Sequence, residues 1–288
     1  MTIREALLEA THLLESHHIS NARLQAEVIL AHCISADRTY IYTHDDRALT
    51  EIESQSLEDA LYDRISGTPL QYIVGRQEFY GRDFHVNPAV LIPRPETEHI
   101  IESVLELRPA DGSRILDVGT GSGCIAVTLA LEVKGGEVFA SDISEIALQV
   151  ARSNALTLGA DVQFVCMDLL DAIEGQFDFI ISNPPYVRPG DMTRLQREVR
   201  EHEPHVALFS PVTDDDEVGI YRRLVAAAYD RLRPGGYLVM EIGIGMDERV
   251  LGIMDSRWEK LPTRCDLQGI PRTLVVRKLP ADHCPELA

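Results

Sequence analysis

The chain has 288 residues, with 27 Lys and Arg against 46 Asp and Glu, a formal charge of −19. That length suggests about two domains, and a composition 45% hydrophobic and 25% charged lies far from the low-apolar, high-charge range that leaves chains disordered. Nonspecific affinity for nucleic acid rests on Lys and Arg displacing counterions from phosphates, so this excess of acid argues against a sequence-independent nucleic-acid binder while leaving room for a local basic groove, and no direct nucleic-acid partner is expected.

At the N-terminus, MTIREALLEATHLLE carries Arg4, Glu5 and Glu9 among its apolar residues, unlike the apolar core of a signal peptide. Ile3, Ala6, Leu7, Ala10, Leu13 and Leu14 recur at helical steps, and Leu24, Val28 and Ala31 continue the pattern. His17-His18 falls where a positive group suits the end of the first helix. Thr50 and Glu53 form a T-x-x-E capping box opening a helix whose Leu57, Leu61 and Ile65 share a face, and Gly67-Thr68-Pro69 closes it. Residues 1–74 hold five Arg and no Lys against twelve acids, so this helical module, expected to span 1–70, suits a protein partner.

Over 71–92 the texture changes to aromatic and β-branched residues on either side of Gly81, which predicts a linking β-hairpin. In the expected C-terminal domain, 93–288, short apolar runs alternate from Arg114 onward with helix-length stretches: RILDV, then Ser122 to Glu132; EVFASD, then Ser144 to Leu158; VQFVC; FDFIIS; then Glu217 to Leu232, a Pro234-Gly235-Gly236 turn and YLVMEI. Such alternation predicts an α/β fold with a largely parallel sheet and crossover helices on both faces. Asp214 to Glu217 reads as a solvated loop or helix start rather than a metal site. No apolar run approaches the ~18 residues of a membrane span. Cys33, Cys124, Cys166, Cys265 and Cys284 are scattered without a C-x-x-C pair, so neither a zinc site nor a disulfide framework is indicated and a reduced cytoplasmic setting is expected. The chain is separately expected to be a monomer without a metal.

Two segments carry chemistry. Asp117-Val-Gly-Thr-Gly-Ser-Gly123 follows one predicted strand and opens a helix, with glycines that permit tight turning and close ligand approach. Cys124 stands where a dinucleotide fingerprint needs glycine, and Cys124-Ile125 excludes a P-loop. Asp142 ends the second predicted strand, where a carboxylate can accept both hydroxyls of a ribose, and Asp168 follows the third. Any one of these could be a turn or a helix cap, but together they favour a nucleoside-bearing cofactor without a pyrophosphate, as in S-adenosylmethionine. Asn183-Pro184-Pro185-Tyr186 follows the strand Phe177 to Ser182. Two prolines remove amide donors and leave carbonyl acceptors in a rigid loop, so Asn183 and Pro184 can take both hydrogens of a planar NH2 group while the Tyr186 ring packs on its plane.

With these residues in place the sequence resembles the class I S-adenosylmethionine-dependent methyltransferases, and more narrowly the HemK family of peptide chain release factor N5-glutamine methyltransferases. The likeness runs through Pro69-Leu-Gln-Tyr-Ile73, Glu78-Phe79 with Gly81, Leu91-Ile-Pro-Arg-Pro-Glu-Thr-Glu98, the loop at 117–123, Asn183 to Tyr186, Glu203-Pro204 with Ala207-Leu208, and Tyr221-Arg-Arg223. The resemblance implies a helical N-terminal domain that docks the release factor, a linking hairpin, and a Rossmann-like domain with a seven-stranded, mostly parallel sheet. It implies a cofactor pocket lined by Gly119, Thr120, Gly121, Ser122, Gly123, Asp142, Asp168, Leu169 and Asn183. It also implies that Asn183, Pro184, Pro185 and Tyr186 hold the substrate glutamine, with Asn183 and Tyr186 catalytic. Arg94 and Glu96 are expected at the hairpin exit or along the pocket. Two other readings compete: a methyltransferase for an exocyclic amine of adenine or guanine, which should present a basic domain, and a cofactor-binding adaptor without turnover, which would not need Asn183 and Tyr186.

Overall fold

The computed structural model describes residues 1–209, 216 and 218–280. Asp214, Asp215 and Glu217 of the acidic run, and Cys284, lie outside the described residues. Contacts divide the chain into two compact units, Met1–Arg76 with Gln196–His202, and Gln77–Leu195 with Glu203–Ala288. In chain order the helices are α1 (Ile3–Ser16), α2 (Ala22–Cys33), α3 (Arg38–Thr43), α4 (Glu51–Ser66), α5 (Leu70–Val74), α6 (Glu98–Glu106), α7 (Cys124–Glu132), α8 (Glu145–Leu158), α9 (Arg197–His202), α10 (His205–Leu208), α11 (Gly219–Arg231) and α12 (Asp247–Gly252). The strands are β1 (Arg76–Phe79), β2 (Arg82–His85), β3 (Arg114–Val118), β4 (Glu137–Asp142), β5 (Val162–Cys166), β6 (Phe177–Ser182), β7 (Leu232–Glu241), β8 (Trp258–Lys260), β9 (Arg264–Cys265) and β10 (Pro271–Lys278). Among the described residues no helix is long and apolar enough to cross a membrane.

In the helical unit, α1 and α4 both open on reciprocal capping boxes, Thr2 with Glu5 and Thr50 with Glu53, which satisfy helix-end N–H groups that water would otherwise have to serve. Ile3, Ala6, Leu7, Ala10 and Leu14 of α1 pack with residues of α2 and α4 in one core. Leu24, expected on that face, is exposed, because α2 turns its Ala22, Ala26, Ile29 and Leu30 stripe inward. The buried Glu27 carboxylate is paired rather than stranded, accepting from Arg23 at 3.0 Å, from Arg38 at 2.5 Å and from the Tyr42 hydroxyl. Helix α9, far along the chain, belongs to this unit: buried Arg64 donates to Glu198 Oε1 at 2.5 Å and Arg197 to the Ser66 carbonyl at 3.2 Å.

The hairpin is shorter than expected, since residues 70–74 are helical and only β1 and β2 pair. Tyr80 and Gly81 both have positive φ, 51° and 72°, the primed two-residue turn whose twist matches the strands. Phe79 and Phe84 meet edge to face, 6.0 Å apart, in a core shared with Ile100, Ile101 and Ile125.

The main sheet runs β5-β4-β3-β6-β7-β10-β8, with the two-residue β9 added to β10. β5 to β7 are parallel and β10 is antiparallel to β7. Strand side chains alternate between faces, so Ile115, Phe179, Ile181 and Val239 join one apolar cluster while Leu116, Ile180, Leu238 and Met240 join the other. The expected Pro234-Gly235-Gly236 turn lies inside β7, where pairing steps from Leu232 opposite Phe177 to Tyr237 opposite Phe179. Gly235, at φ 85°, absorbs that irregularity. Chain order reverses beside β3, which pairs with both β4 and β6, and ligands of open α/β sheets bind at the carboxyl end of such a switch point.

Candidate active site

Registers align the strand ends. Val118 lies opposite Ser141 and Ser182, Asp142 opposite Cys166, and Ser182 opposite Met240. The segments that leave those ends therefore meet at one sheet edge, around a cavity of about 320 Å³. That volume falls in the range of small-molecule pockets. Gly119, Gly121, Asp142, Ile143, Asp168 and Leu169 line one part of it, Asn183, Pro184 and Pro185 another, and Val90, Leu91, Val206 and Phe209 supply apolar walls.

The glycine loop is held by its own backbone. Gly119 and Thr120 donate to the Ser141 carbonyl at 2.8 and 2.9 Å, and Gly121 donates to Asp142 Oδ2 at 2.9 Å. Gly119 and Gly121 sit at φ 73° and 55°, and a Cβ on either would meet no atom within 4 Å, so their open side belongs to the cavity. Gly123 serves packing instead, because a Cβ there would lie 3.0 Å from Ala151 Cβ on α8. Thr120, Ser122 and Gly123 do not line the cavity. Thr120 donates to Asp117 Oδ2 at 2.6 Å, and the Ser122 carbonyl accepts from Asn154 at 2.8 Å. Burial pushes the Asp117 carboxyl up to about 7, against the hydrogen bonds from Thr120 and Ala126. Asn154, buried on α8, spends its whole amide here, since it also exchanges two hydrogen bonds with the His85 backbone.

Asp142 accepts one N–H on each oxygen, from Ser144 and from Gly121, both at 2.9 Å. Burial raises its carboxyl above the usual range, and these backbone donors oppose the rise. Asp168 lies on the cavity wall but its Oδ2 accepts from Arg223 at 2.7 Å. Leu169 adopts φ 48°, and its carbonyl accepts from Ser141 Oγ at 3.2 Å.

Asn183 is tied to Thr97 and, through it, to Glu241, neither of which is among the site residues expected from the sequence. Its Nδ2 donates to Thr97 Oγ1 at 3.2 Å, Thr97 Oγ1 donates to Glu241 Oε2 at 2.7 Å, and the Tyr186 hydroxyl donates to Glu241 Oε1 at 3.2 Å. Glu241, buried at the end of β7, is raised by burial, while its bonds from Thr97 and Tyr186 lower it. Burial and the neighbouring Glu241 both push the Tyr186 phenol upward. Tyr186 does not line the cavity; its ring packs near Gly243, where a Cβ would stand 3.3 Å from Tyr186 Cδ2. Arg94 and Glu96 do not line it either. Arg94 donates to the buried Glu203 at 2.6 Å, joining the exit of the hairpin to the segment that supplies Val206 and Phe209. Thr97 lies in the Leu91 to Glu98 segment that carries the family likeness, so a signal existed for it; Glu241 ends an apolar strand, where its side chain has no local signal.

Residues 5–75 match the family described as the PrmC N-terminal domain, and residues 98–202 the family described as the methyltransferase small domain. A release factor glutamine methyltransferase of Koribacter versatilis is 48% identical over 281 residues, covering 96% of this chain and 99% of that protein. The chain belongs to the release factor glutamine methyltransferase family. A second relative of that name, from Bradyrhizobium diazoefficiens, is 38% identical and covers 93% of this methyltransferase and 92% of its own length. A solved methyltransferase from Pyrococcus furiosus, 19% identical with a TM-score of 0.51 over 79% of this chain and all of its own, shares the fold. In this methyltransferase the cavity at the sheet edge unites the glycine loop, Asp142 and the Asn183 segment.

Proposed function

We propose that this methyltransferase uses S-adenosylmethionine to methylate the side-chain amide nitrogen of the glutamine in the Gly-Gly-Gln motif of peptide chain release factors, in the cytoplasm. The observation that carries the reading is one cavity shared by Gly119, Gly121 and Asp142 with Asn183, Pro184 and Pro185. The residues fit the donor: open space over two glycines admits the backbone-proximal part of a nucleoside, Asp142 offers acceptors for ribose hydroxyls, and apolar walls suit an adenine. When bound, S-adenosylmethionine supplies a methyl group on a sulfonium, whose S–C electron pair stays with sulfur as the new N–CH3 bond forms.

The chain's own residues act on the acceptor. An amide nitrogen is a poor nucleophile because its lone pair is delocalised into the carbonyl. Asn183 Oδ1 and the Pro184 carbonyl, both acceptors, take its two hydrogens and so fix where that lone pair points. The nitrogen acquires positive charge as the methyl arrives, which strengthens both hydrogen bonds in the transition state and lets the proton pass to solvent without a strong base. Tyr186, anchored on Glu241, gives the loop a fixed end beside the substrate. The acidic helical unit supports a protein partner, because its charge favours approach to a basic surface in a salt-dependent way.

The test is transfer of a labelled methyl group from S-adenosylmethionine with purified release factor, ribosomal RNA and duplex DNA offered in parallel. Label on the release factor supports the reading. Label on nucleic acid favours the exocyclic-amine methyltransferase, and donor binding with no transfer to any acceptor favours the adaptor.

A further inference from the structure

Asn183 presents two chemically opposite edges, an oxygen that accepts and an NH2 that donates, and only the oxygen suits an acceptor's NH2 group. Rotation of the amide by half a turn would exchange them at almost no steric cost, so something must select the orientation. Thr97 and Glu241 lie where they can do so. Glu241 Oε2 accepts the Thr97 hydroxyl proton at 2.7 Å. With that proton committed, Thr97 Oγ1 has only lone pairs to offer Asn183, and it accepts from Nδ2 at 3.2 Å. The Tyr186 hydroxyl occupies the other Glu241 oxygen at 3.2 Å, so the carboxylate has a donor on each side. Thr97 and Glu241 are both buried, which keeps water from substituting for either partner. Among the described residues no donor reaches Asn183 Oδ1, which stays available at the cavity.

We propose that Thr97 and Glu241 are positioning residues that set the polarity of the Asn183 amide, holding Oδ1 toward the acceptor and Nδ2 away from it. The proposal rests on the methyltransferase reading only for its kinetic consequence; the orientation of the amide is a property of the free protein. Three residues distant in sequence, on the segment before α6, just past the end of β6 and at the end of β7, thereby act as one directional chain ending at the acceptor. The chain also explains why a residue outside the glycine loop and the Asn-Pro-Pro-Tyr element should matter to turnover and not to donor binding, since neither Thr97 nor Glu241 lines the cavity.

Two measurements on the full chain test it. In the first, the side-chain NH2 of Asn183 is observed by nitrogen-15 NMR and assigned by its loss in Asn183→Ala. One of its two protons should be protected from solvent exchange in the wild type and in Thr97→Ser, and lose that protection in Thr97→Val. In the second, single-turnover methylation of release factor should slow roughly 10- to 100-fold in Thr97→Val, with the donor's dissociation constant within about twofold of wild type, while Thr97→Ser stays within about threefold in rate. Thr97→Ala carries the same expectations if the valine variant does not fold. Protection that survives the loss of the hydroxyl overturns the proposal. So does a Thr97→Ser variant as slow as Thr97→Val, since that outcome marks a packing role. If wild-type enzyme leaves the release factor unmodified, the substrate assignment fails, and the NMR result still decides the orientation.

Discussion

Replacing Asp142 by Asn removes a charge while keeping the side chain's shape, and the structure predicts that this conservative change is not mild. Each Asp142 oxygen accepts a backbone N–H, from Gly121 and from Ser144, both at 2.9 Å. Asn has one oxygen, so its NH2 must face one of those donors. An unpaired donor of this kind costs about 1–3 kcal/mol. Ribose hydroxyls lose a charged acceptor as well, the difference between roughly 1.5–3 and 0.5–1.5 kcal/mol per bond. Burial, which raises the Asp142 carboxyl, offsets part of this, because a neutral side chain is cheaper to bury. The stranded N–H weakens folding with or without the donor, so the loss in donor binding comes from the two ribose bonds, about 2–3 kcal/mol, or a dissociation constant roughly 30- to 150-fold higher. Titration calorimetry with S-adenosylmethionine, on protein shown to be folded by circular dichroism, measures it. A folded Asp142→Asn variant that binds within threefold of wild type would refute the ribose assignment.

Three further outcomes are expected. Asn183→Ala should lower single-turnover methylation at least ~100-fold while its thermal midpoint stays within a few degrees of wild type, with donor affinity measured alongside because Asn183 lines the cavity. Asp117 titrates at about 7 in the folded chain against 3.8 ordinarily, so the folded state holds the extra proton. Its contribution to stability is therefore full at low pH and declines by up to about 4 kcal/mol between pH ~4 and ~7; Asp117→Asn should flatten that slope in chemical denaturation series, and an unchanged slope would remove Asp117 as its source. Asn154→Ala strands the partners of three hydrogen bonds, at the His85 backbone and the Ser122 carbonyl, and should destabilise the protein by about 2–4 kcal/mol in urea unfolding. A loss under about 0.5 kcal/mol would mean that water replaces the amide there.

Strands β3, β4 and β6 coincide with the runs RILDV, EVFASD and FDFIIS because their β-branched and aromatic residues fill the sheet interior, and the half-exposed edge strand β5 coincides with VQFVC through the same residue types, which local composition alone reports. The glycine loop was legible for a similar local reason: positive φ at Gly119, Gly121 and Gly123 needs glycine where it occurs. What the sequence could not display are partnerships made by folding. Thr97 and Glu241 are 144 positions apart, Arg64 and Glu198 are 134 apart, and nothing local marks either pair. α9 for this reason read as part of the C-terminal half, whereas its contacts place it with the helices. Within the loop, spacing did not separate Gly119 and Gly121, which line the cavity, from Gly123, which faces Ala151, because all three adopt positive φ. Leu24 misled because one apolar residue fits more than one helical stripe, and packing against α1 chose the alanine-rich one.

The most direct measurement is fragmentation mass spectrometry of release factor after reaction with this methyltransferase and S-adenosylmethionine, with the Asn183→Ala variant run beside it. The account predicts a single added methyl on the side-chain nitrogen of the glutamine in the Gly-Gly-Gln motif, formed by the wild type and nearly absent with the variant. A methyl on any other residue, or equal modification by both enzymes, would contradict it.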